Sequence, residues 1–283
     1  MDRVMSVEVL VDGLDHPEGV AFDHESGLIY AGGELGQLYE IDPIGRSFTE
    51  VARTPGFALG LAVDGCGRVV ICDSVDAAIW VYADGSLRRL VDTAGDRPLI
   101  MPNYPAFGPD GTLYFSDSGV WKEDNGAVIA LDPDGTARVL DTTLRRFPNG
   151  CAVTPDGSEL WMIQSLGPDV SRFDLLRGGP PEVVITLPGT VPDGLAFTED
   201  GGAVISCYRP DRIYYLNADG RLEMIAEDPE GTLLAAPTNI AFVGDDRSGL
   251  VSANLGRWHL TMLRTNLRGV VPHAPATWAV DAS

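Results

Sequence analysis

An all-β chain folded as a six-bladed β-propeller of four-stranded antiparallel blades is what the sequence predicts. The reading rests on a short motif that recurs six times, on the turns that follow it, and on the lack of helical periodicity between them. The motif is carried by Glu18-Gly19-Val20-Ala21-Phe22, Leu59-Gly60-Leu61-Ala62-Val63, Asn103-Tyr104-Pro105-Ala106-Phe107, Asn149-Gly150-Cys151-Ala152-Val153, Asp193-Gly194-Leu195-Ala196-Phe197 and Thr238-Asn239-Ile240-Ala241-Phe242. Its shared alanines fall 41, 44, 46, 44 and 45 residues apart, so six units of one size fill the chain as one domain over residues 1–283. In units two to five an Asp-Gly pair follows the alanine, at Asp64-Gly65, Asp110-Gly111, Asp156-Gly157 and Asp200-Gly201, as expected of a hairpin turn. β-Rich stretches come next, such as Thr112–Ser116 and then Ala127–Asp132. A second turn follows, at Asp84-Gly85, Asp134-Gly135 or Asp219-Gly220, before a short last strand such as Leu87–Leu90. That makes four antiparallel strands per unit. None of the five tryptophans precedes an aspartate, so the Gly-His and Trp-Asp type of propeller is not supported. Closing the ring requires the strand around Ser6–Val11 to pair with the last blade, because an open edge invites aggregation.

Equivalent alanines imply equivalent neighbours. The residue three before each, at the start of the innermost strand, is Glu18, Leu59, Asn103, Asn149, Asp193 and Thr238 in turn. Two carboxylates and two carboxamides in register can converge on the central axis. Such a set is hard, oxygen-only and doubly negative, which suits one divalent cation, Ca²⁺ first and Mg²⁺ or Mn²⁺ as alternatives, and suits zinc poorly. A single Asp or Asn here would read as a turn cap, but that explanation must hold four times, at positions where strands usually lack these residues.

These residues carry a resemblance. His16-Pro17-Glu18-Gly19, Pro148-Asn149-Gly150 and Pro192-Asp193-Gly194-Leu195-Ala196 resemble the senescence-marker-protein/gluconolactonase family, which includes regucalcin and sugar lactonases. The resemblance spans essentially the whole chain. It implies a central divalent cation coordinated by Glu18, Asn149 and Asp193, with Asn103 beside metal and substrate. It also implies lactone hydrolysis, with the metal polarising the carbonyl and Asp193 taking a proton from the attacking water. Direct attack by the carboxylate, through a covalent intermediate, is the alternative.

One departure bears on substrate. Sugar lactonases of this family commonly carry an arginine two residues before the asparagine and an aspartate after it, whereas this chain reads Met101-Pro102-Asn103-Tyr104. Arg97 is near but not at the matching position. Phe57, Leu59, Phe147, Tyr208 and Trp258 lie beside innermost strands, so with Met101 and Tyr104 they are the expected substrate contacts, unless they pack between blades. That rim favours a hydrophobic or aromatic lactone or ester over a sugar lactone. His16, two residues before Glu18, either orients it or shapes the loop; His259 either approaches the channel or is structural. The segment Trp121-Lys122-Glu123-Asp124-Asn125 either overhangs the mouth or is a plain hairpin loop. Ser116-Asp117 and Asp73-Ser74 read as structural.

Composition narrows the classes. The chain has 20 Lys and Arg against 41 Asp and Glu, a net charge of −21, which repels nucleic acid and anionic bilayers alike. Lys122 is the one lysine, so Schiff-base and P-loop chemistry lack a candidate, and no Gly-x-Ser-x-Gly elbow is present. Four scattered cysteines and no apolar leader predict reduced thiols and a cytoplasmic protein. The other readings are a fluorophosphatase-like phosphotriesterase on the same metal, a non-catalytic calcium- or ligand-binding propeller, and a biosynthetic isomerase or cyclase. Oligomeric state is not legible.

Overall fold

The structure, a computed structural model, describes residues 3–281. Strand β1 (Val4–Asp12) is followed by six four-stranded antiparallel sheets arranged as blades. The first blade holds β2 (Val20–Phe22), β3 (Ile29–Gly32), β4 (Gln37–Asp42) and β5 (Ser47–Arg53). The second holds β6 (Ala58–Val63), β7 (Val69–Asp73), β8 (Ala78–Ala83) and β9 (Ser86–Val91). A small hairpin, β10 (Thr93–Ala94) and β11 (Arg97–Pro98), leads into the third blade, β12 (Pro102–Phe107), β13 (Leu113–Asp117), β14 (Ala127–Leu131) and β15 (Ala137–Asp141). The fourth has β16 (Pro148–Val153), β17 (Glu159–Gln164), β18 (Asp169–Asp174) and β19 (Glu182–Thr186). The fifth has β20 (Val191–Phe197), β21 (Ala203–Arg209), β22 (Arg212–Leu216) and β23 (Leu222–Glu227). The sixth is built from β24 (Pro237–Val243), β25 (Gly249–Asn254) and β26 (His259–Thr265), with β1 as its outermost strand. Ring closure therefore follows the expected pairing: Val7 faces Leu263 and Val9 faces Thr261 across the antiparallel ladder.

The turns explain the repeated Asp-Gly pairs, though mostly not as two-residue hairpins. Only Asp84-Gly85 closes one, with both residues at positive φ (50° and 74°) between paired Ala83 and Ser86. Elsewhere the aspartate side chain caps a longer loop: Asp110 Oδ1 accepts the Thr112 N–H at 3.0 Å and Asp156 Oδ1 that of Ser158 at 3.0 Å.

The core lies between the blades. Six apolar clusters fill the six interfaces, for example Leu38, Leu61 and Ile71 between blades one and two, and Ile163, Leu195 and Ile205 between four and five. Alternating side chains of neighbouring sheets meet there, so the ring is held by face-to-face packing and not by a central plug. Among the described residues no helix is long and apolar enough to cross a membrane.

Candidate metal centre

The innermost strands do not run regularly. In blades two to six the ladder between the first and second strands skips, between Ala58 and Leu61, Pro102 and Pro105, Pro148 and Cys151, Pro192 and Leu195, and Pro237 and Ile240. Each bulge contains the residue three before the motif alanine. A bulge frees a residue from pairing and re-aims its side chain, here toward the axis. The glycine after it has a separate cause: a Cβ on Gly150 would lie 2.1 Å from the carbonyl oxygen of Asp193, so only glycine lets adjacent innermost strands approach this closely.

Glu18, Asn103, Asn149 and Asp193 meet at one end of the channel. Each is at most 5 % exposed, and all four line a single cavity of about 250 Å³. Two hydroxyls fix the amide orientations. Ser118 Oγ donates to the carbonyl of Pro148 at 2.6 Å and so must accept from Asn103 Nδ2, 3.0 Å away. In the next blade Ser165 Oγ donates to the carbonyl of Pro192 at 2.7 Å and accepts from Asn149 Nδ2 at 3.1 Å. With their amino groups so committed, the amides turn their oxygens toward the channel. Asn149 Nδ2 also reaches Asp193 Oδ2 at 3.1 Å.

What remains are buried acceptors with no donor. Asn103 Oδ1, Asn149 Oδ1 and Asp193 Oδ1 have no hydrogen-bond partner, although such groups are normally satisfied in a folded interior. Glu18 and Asp193 are also close enough to repel. Burial and the Asp193 charge push the Glu18 carboxyl well above the usual carboxylate range, and burial pushes Asp193 up as well, against the lowering effect of Asn149. No arginine, lysine or histidine lines this cavity. Two buried carboxylates, unfilled amide oxygens and no counter-charge are the donor set that a hard divalent cation satisfies. The residues present fit such an ion.

Asn239 is a residue that sequence reasoning missed. It is fully buried, its Nδ2 reaches Glu18 Oε2 at 3.3 Å, and its Oδ1 is a further unpartnered oxygen. It stands one position after the expected one, where four other blades carry glycine, and that contrast was the available signal. Thr238 adds no ligand atom to the channel; its hydroxyl donates to the Glu18 carbonyl at 2.8 Å.

Above this floor the cavity wall is apolar, with Phe57, Leu59, Met101, Phe147 and Tyr208 in place as expected. Two expected contacts lie elsewhere. Tyr104 lines a separate cavity at the other end of the channel. Trp258 is half exposed, does not line the mouth cavity, and packs against His16 with ring centroids 5.5 Å apart. The 121–125 loop does overhang the mouth: Trp121 lines the cavity and meets Phe147 edge to face at 4.7 Å. Arg97 is tied to buried Asp117 at 2.9 Å and to the Asn125 carbonyl at 2.9 Å. Asp117 in turn accepts the Met101 N–H at 2.7 Å, and Asp73 accepts that of Gly56 at 2.8 Å, so each braces the loop that enters the innermost strand of its own blade. His16 contacts Asp15 and Glu34 at 3.1 and 3.2 Å, and His259 contacts the Leu233 carbonyl at 3.1 Å; each braces a loop.

Comparison with known proteins agrees with this architecture. Strictosidine synthase-like 6 of Arabidopsis thaliana is 27% identical over 209 residues, covering 66% of this chain and 55% of that protein. The chain thus spans about half the length of the first curated relatives it matches. Lactonase drp35 of Staphylococcus saprophyticus is 23% identical over 259 residues, 84% of this chain and 78% of that one. The calcium-binding protein regucalcin of Agrobacterium tumefaciens superposes with a TM-score of 0.77 at 20% identity, covering 96% of both chains, a likeness of fold. The SMP-30/Gluconolactonase/LRE-like profile matches residues 16–253. With that match across six blades of the expected order, the chain belongs to the SMP-30/gluconolactonase/LRE-like family.

Proposed function

We propose that this protein is a divalent-metal-dependent hydrolase that opens a lactone ring, acting on an uncharged hydrophobic or aromatic lactone rather than a sugar lactone. The observation that carries the reading is the set of unpartnered oxygens on Asn103, Asn149 and Asp193, gathered with Glu18 around one channel. Family membership and the lactonase among its relatives support the reaction class. The calcium-binding structural neighbour supports the ion.

Glu18, Asn103, Asn149 and Asp193 would hold the cation, Ca²⁺ by their oxygen-only chemistry, with Mg²⁺ or Mn²⁺ as alternatives. When bound, it supplies Lewis-acid polarisation of the lactone carbonyl. Asn103 Oδ1, fixed by Ser118, orients the attacking water. Asp193 receives that water's proton; because a carboxylate held firmly by a cation is a poor base, this role requires that the ion hold Asp193 loosely. Phe57, Met101, Trp121, Phe147 and Tyr208 exclude bulk water and seat an apolar substrate.

The test is metal content of the purified protein, followed by pH-stat hydrolysis of sugar and aromatic lactones before and after chelation, with Ca²⁺ add-back. One equivalent of metal, chelator-sensitive turnover favouring aromatic lactones, and a loss of about 100-fold or more in Asp193→Ala are expected. Turnover of phosphotriesters alone moves the reading to the fluorophosphatase-like chemistry, and metal without any turnover moves it to a binding propeller. Absence of metal overturns it.

A further inference from the structure

We propose that the far end of the channel is a second binding site, which takes a small uncharged aromatic molecule of about two fused rings beneath the C-terminal segment of the chain. A cavity of about 300 Å³ lies there, and it shares no lining residue with the metal mouth. Its wall is made by the six motif alanines, Ala21, Ala62, Ala106, Ala152, Ala196 and Ala241. At that level each blade sends only a methyl group toward the axis, and five of the six alanines stay accessible from inside. A leucine at any of these positions would occupy the space. The opening is thus written into all six repeats and is not a local packing fault.

Its two ends are also built. Tyr104 stands at the inner end, at the position where four other blades carry glycine. The outer end is crossed by residues 270–276, which are fastened to three blades. Val270 donates its N–H to the Phe197 carbonyl at 3.0 Å, His273 Nε2 lies 2.9 Å from the Thr154 carbonyl, and Gly65 donates to the Pro275 carbonyl at 3.1 Å. Beyond the crossing, Trp278 anchors the segment by an indole N–H donated to Asp64 Oδ2 at 2.7 Å and by an edge contact with Phe107.

Size and polarity define the ligand. A dry apolar cavity of about 150 Å³ accommodates benzene, so one of twice that volume accommodates a fused bicycle. Phe22, Phe197 and Phe242 line the cavity and supply aromatic contact for an aromatic guest. Neither arginine nor lysine lines the cavity; His24 and His273 do, together with the carboxylates of Asp23 and Glu25, while that of Asp64 is taken up by Arg68 and Trp278, so an anionic guest is disfavoured.

The experiment is calorimetric titration of the full chain with indole, naphthalene and indole-3-acetate, with calcium present and after chelation. Saturable one-to-one binding of indole and naphthalene, no binding of indole-3-acetate, and no change on chelation or in Asp193→Ala are expected. Ala152→Leu and Ala196→Leu should each weaken binding tenfold or more without lowering the melting midpoint. Ala241→Val, a smaller insertion, serves if either leucine variant fails to fold. Absence of saturable binding by both neutral probes overturns the proposal. So does binding that survives the filled variants, or that disappears in Phe147→Ala, which would place the guest in the metal mouth.

Discussion

At the scale of single residues, the candidate centre is governed by two carboxylic acids that the fold places in each other's field without a cation. Burial raises Asp193 to about 7, and burial together with the Asp193 charge raises Glu18. Because the folded value lies above the ordinary carboxylate value of about 4, the folded, metal-free protein binds more protons than the unfolded chain between the two, and its stability falls as pH rises through that window. Asp193→Asn removes the titration while keeping the shape. Its melting midpoint, measured without metal, should match that of the wild-type protein near pH 4 and exceed it increasingly as pH rises through 7, with the repulsion that Asp193 no longer exerts on Glu18 adding to the difference. A difference that stays flat with pH would contradict this. Excess calcium should abolish the trend, since the ion binds the deprotonated form. Glu18, Asn103, Asn149 and Asp193 were legible in the sequence because register alone equates them. Asn239 was not, since its blade shifts the polar side chain by one place within the bulge.

The elements explain how such residues are held. A serine one place beyond the second strand of blades three and four accepts from the amide of its own blade and donates to the carbonyl just before the next blade's polar residue. One hydroxyl thereby fixes an amide and the spacing between two blades. Ser118→Ala leaves the buried Asn103 amino group and the Pro148 carbonyl without these partners, a cost of about 1–3 kcal/mol, and lets the amide rotate; Ser165→Ala does the same to the Pro192 carbonyl but leaves the Asn149 amino group its bond to Asp193. Calcium affinity, followed by titration calorimetry, should fall by about 10–100-fold, well beyond what the loss in stability explains, and Ser→Thr should recover part of it. Unchanged affinity would show that the hydroxyls do not position the amides. In the sequence Ser116-Asp117 and Asp73-Ser74 read as structural, but neither Ser118 nor Ser165 stood out, because the hydrogen bonds they make join residues of two blades. Likewise Tyr104 read as a mouth residue beside Asn103, whereas the bulge sends the two side chains to different cavities.

Over the whole molecule, the repeat made the fold legible, because each blade exposes an apolar face that only its neighbours cover, and six units of one size demand a closed ring. Closure depends on one long-range pairing, β1 against β26, joining residues some 250 positions apart in sequence, Val4 to Thr265 at one end and Asp12 to His259 at the other. β1 also contributes Leu10 and Val11 to the cluster that joins the last blade to the first. Removing the residues through Asp12 therefore bares the β26 edge and opens that cluster to water at the same seam. An unpaired, apolar edge pairs with another chain when its own partner is gone. The shortened protein is expected to lose its cooperative thermal transition and to elute as aggregates in size-exclusion chromatography. Adding residues 3–12 back as a separate peptide should restore the elution position of the full chain in proportion to peptide bound. A shortened chain that elutes as the full chain does, with an unchanged melting midpoint, would mean that packing between the blades, and not this strand, closes the ring.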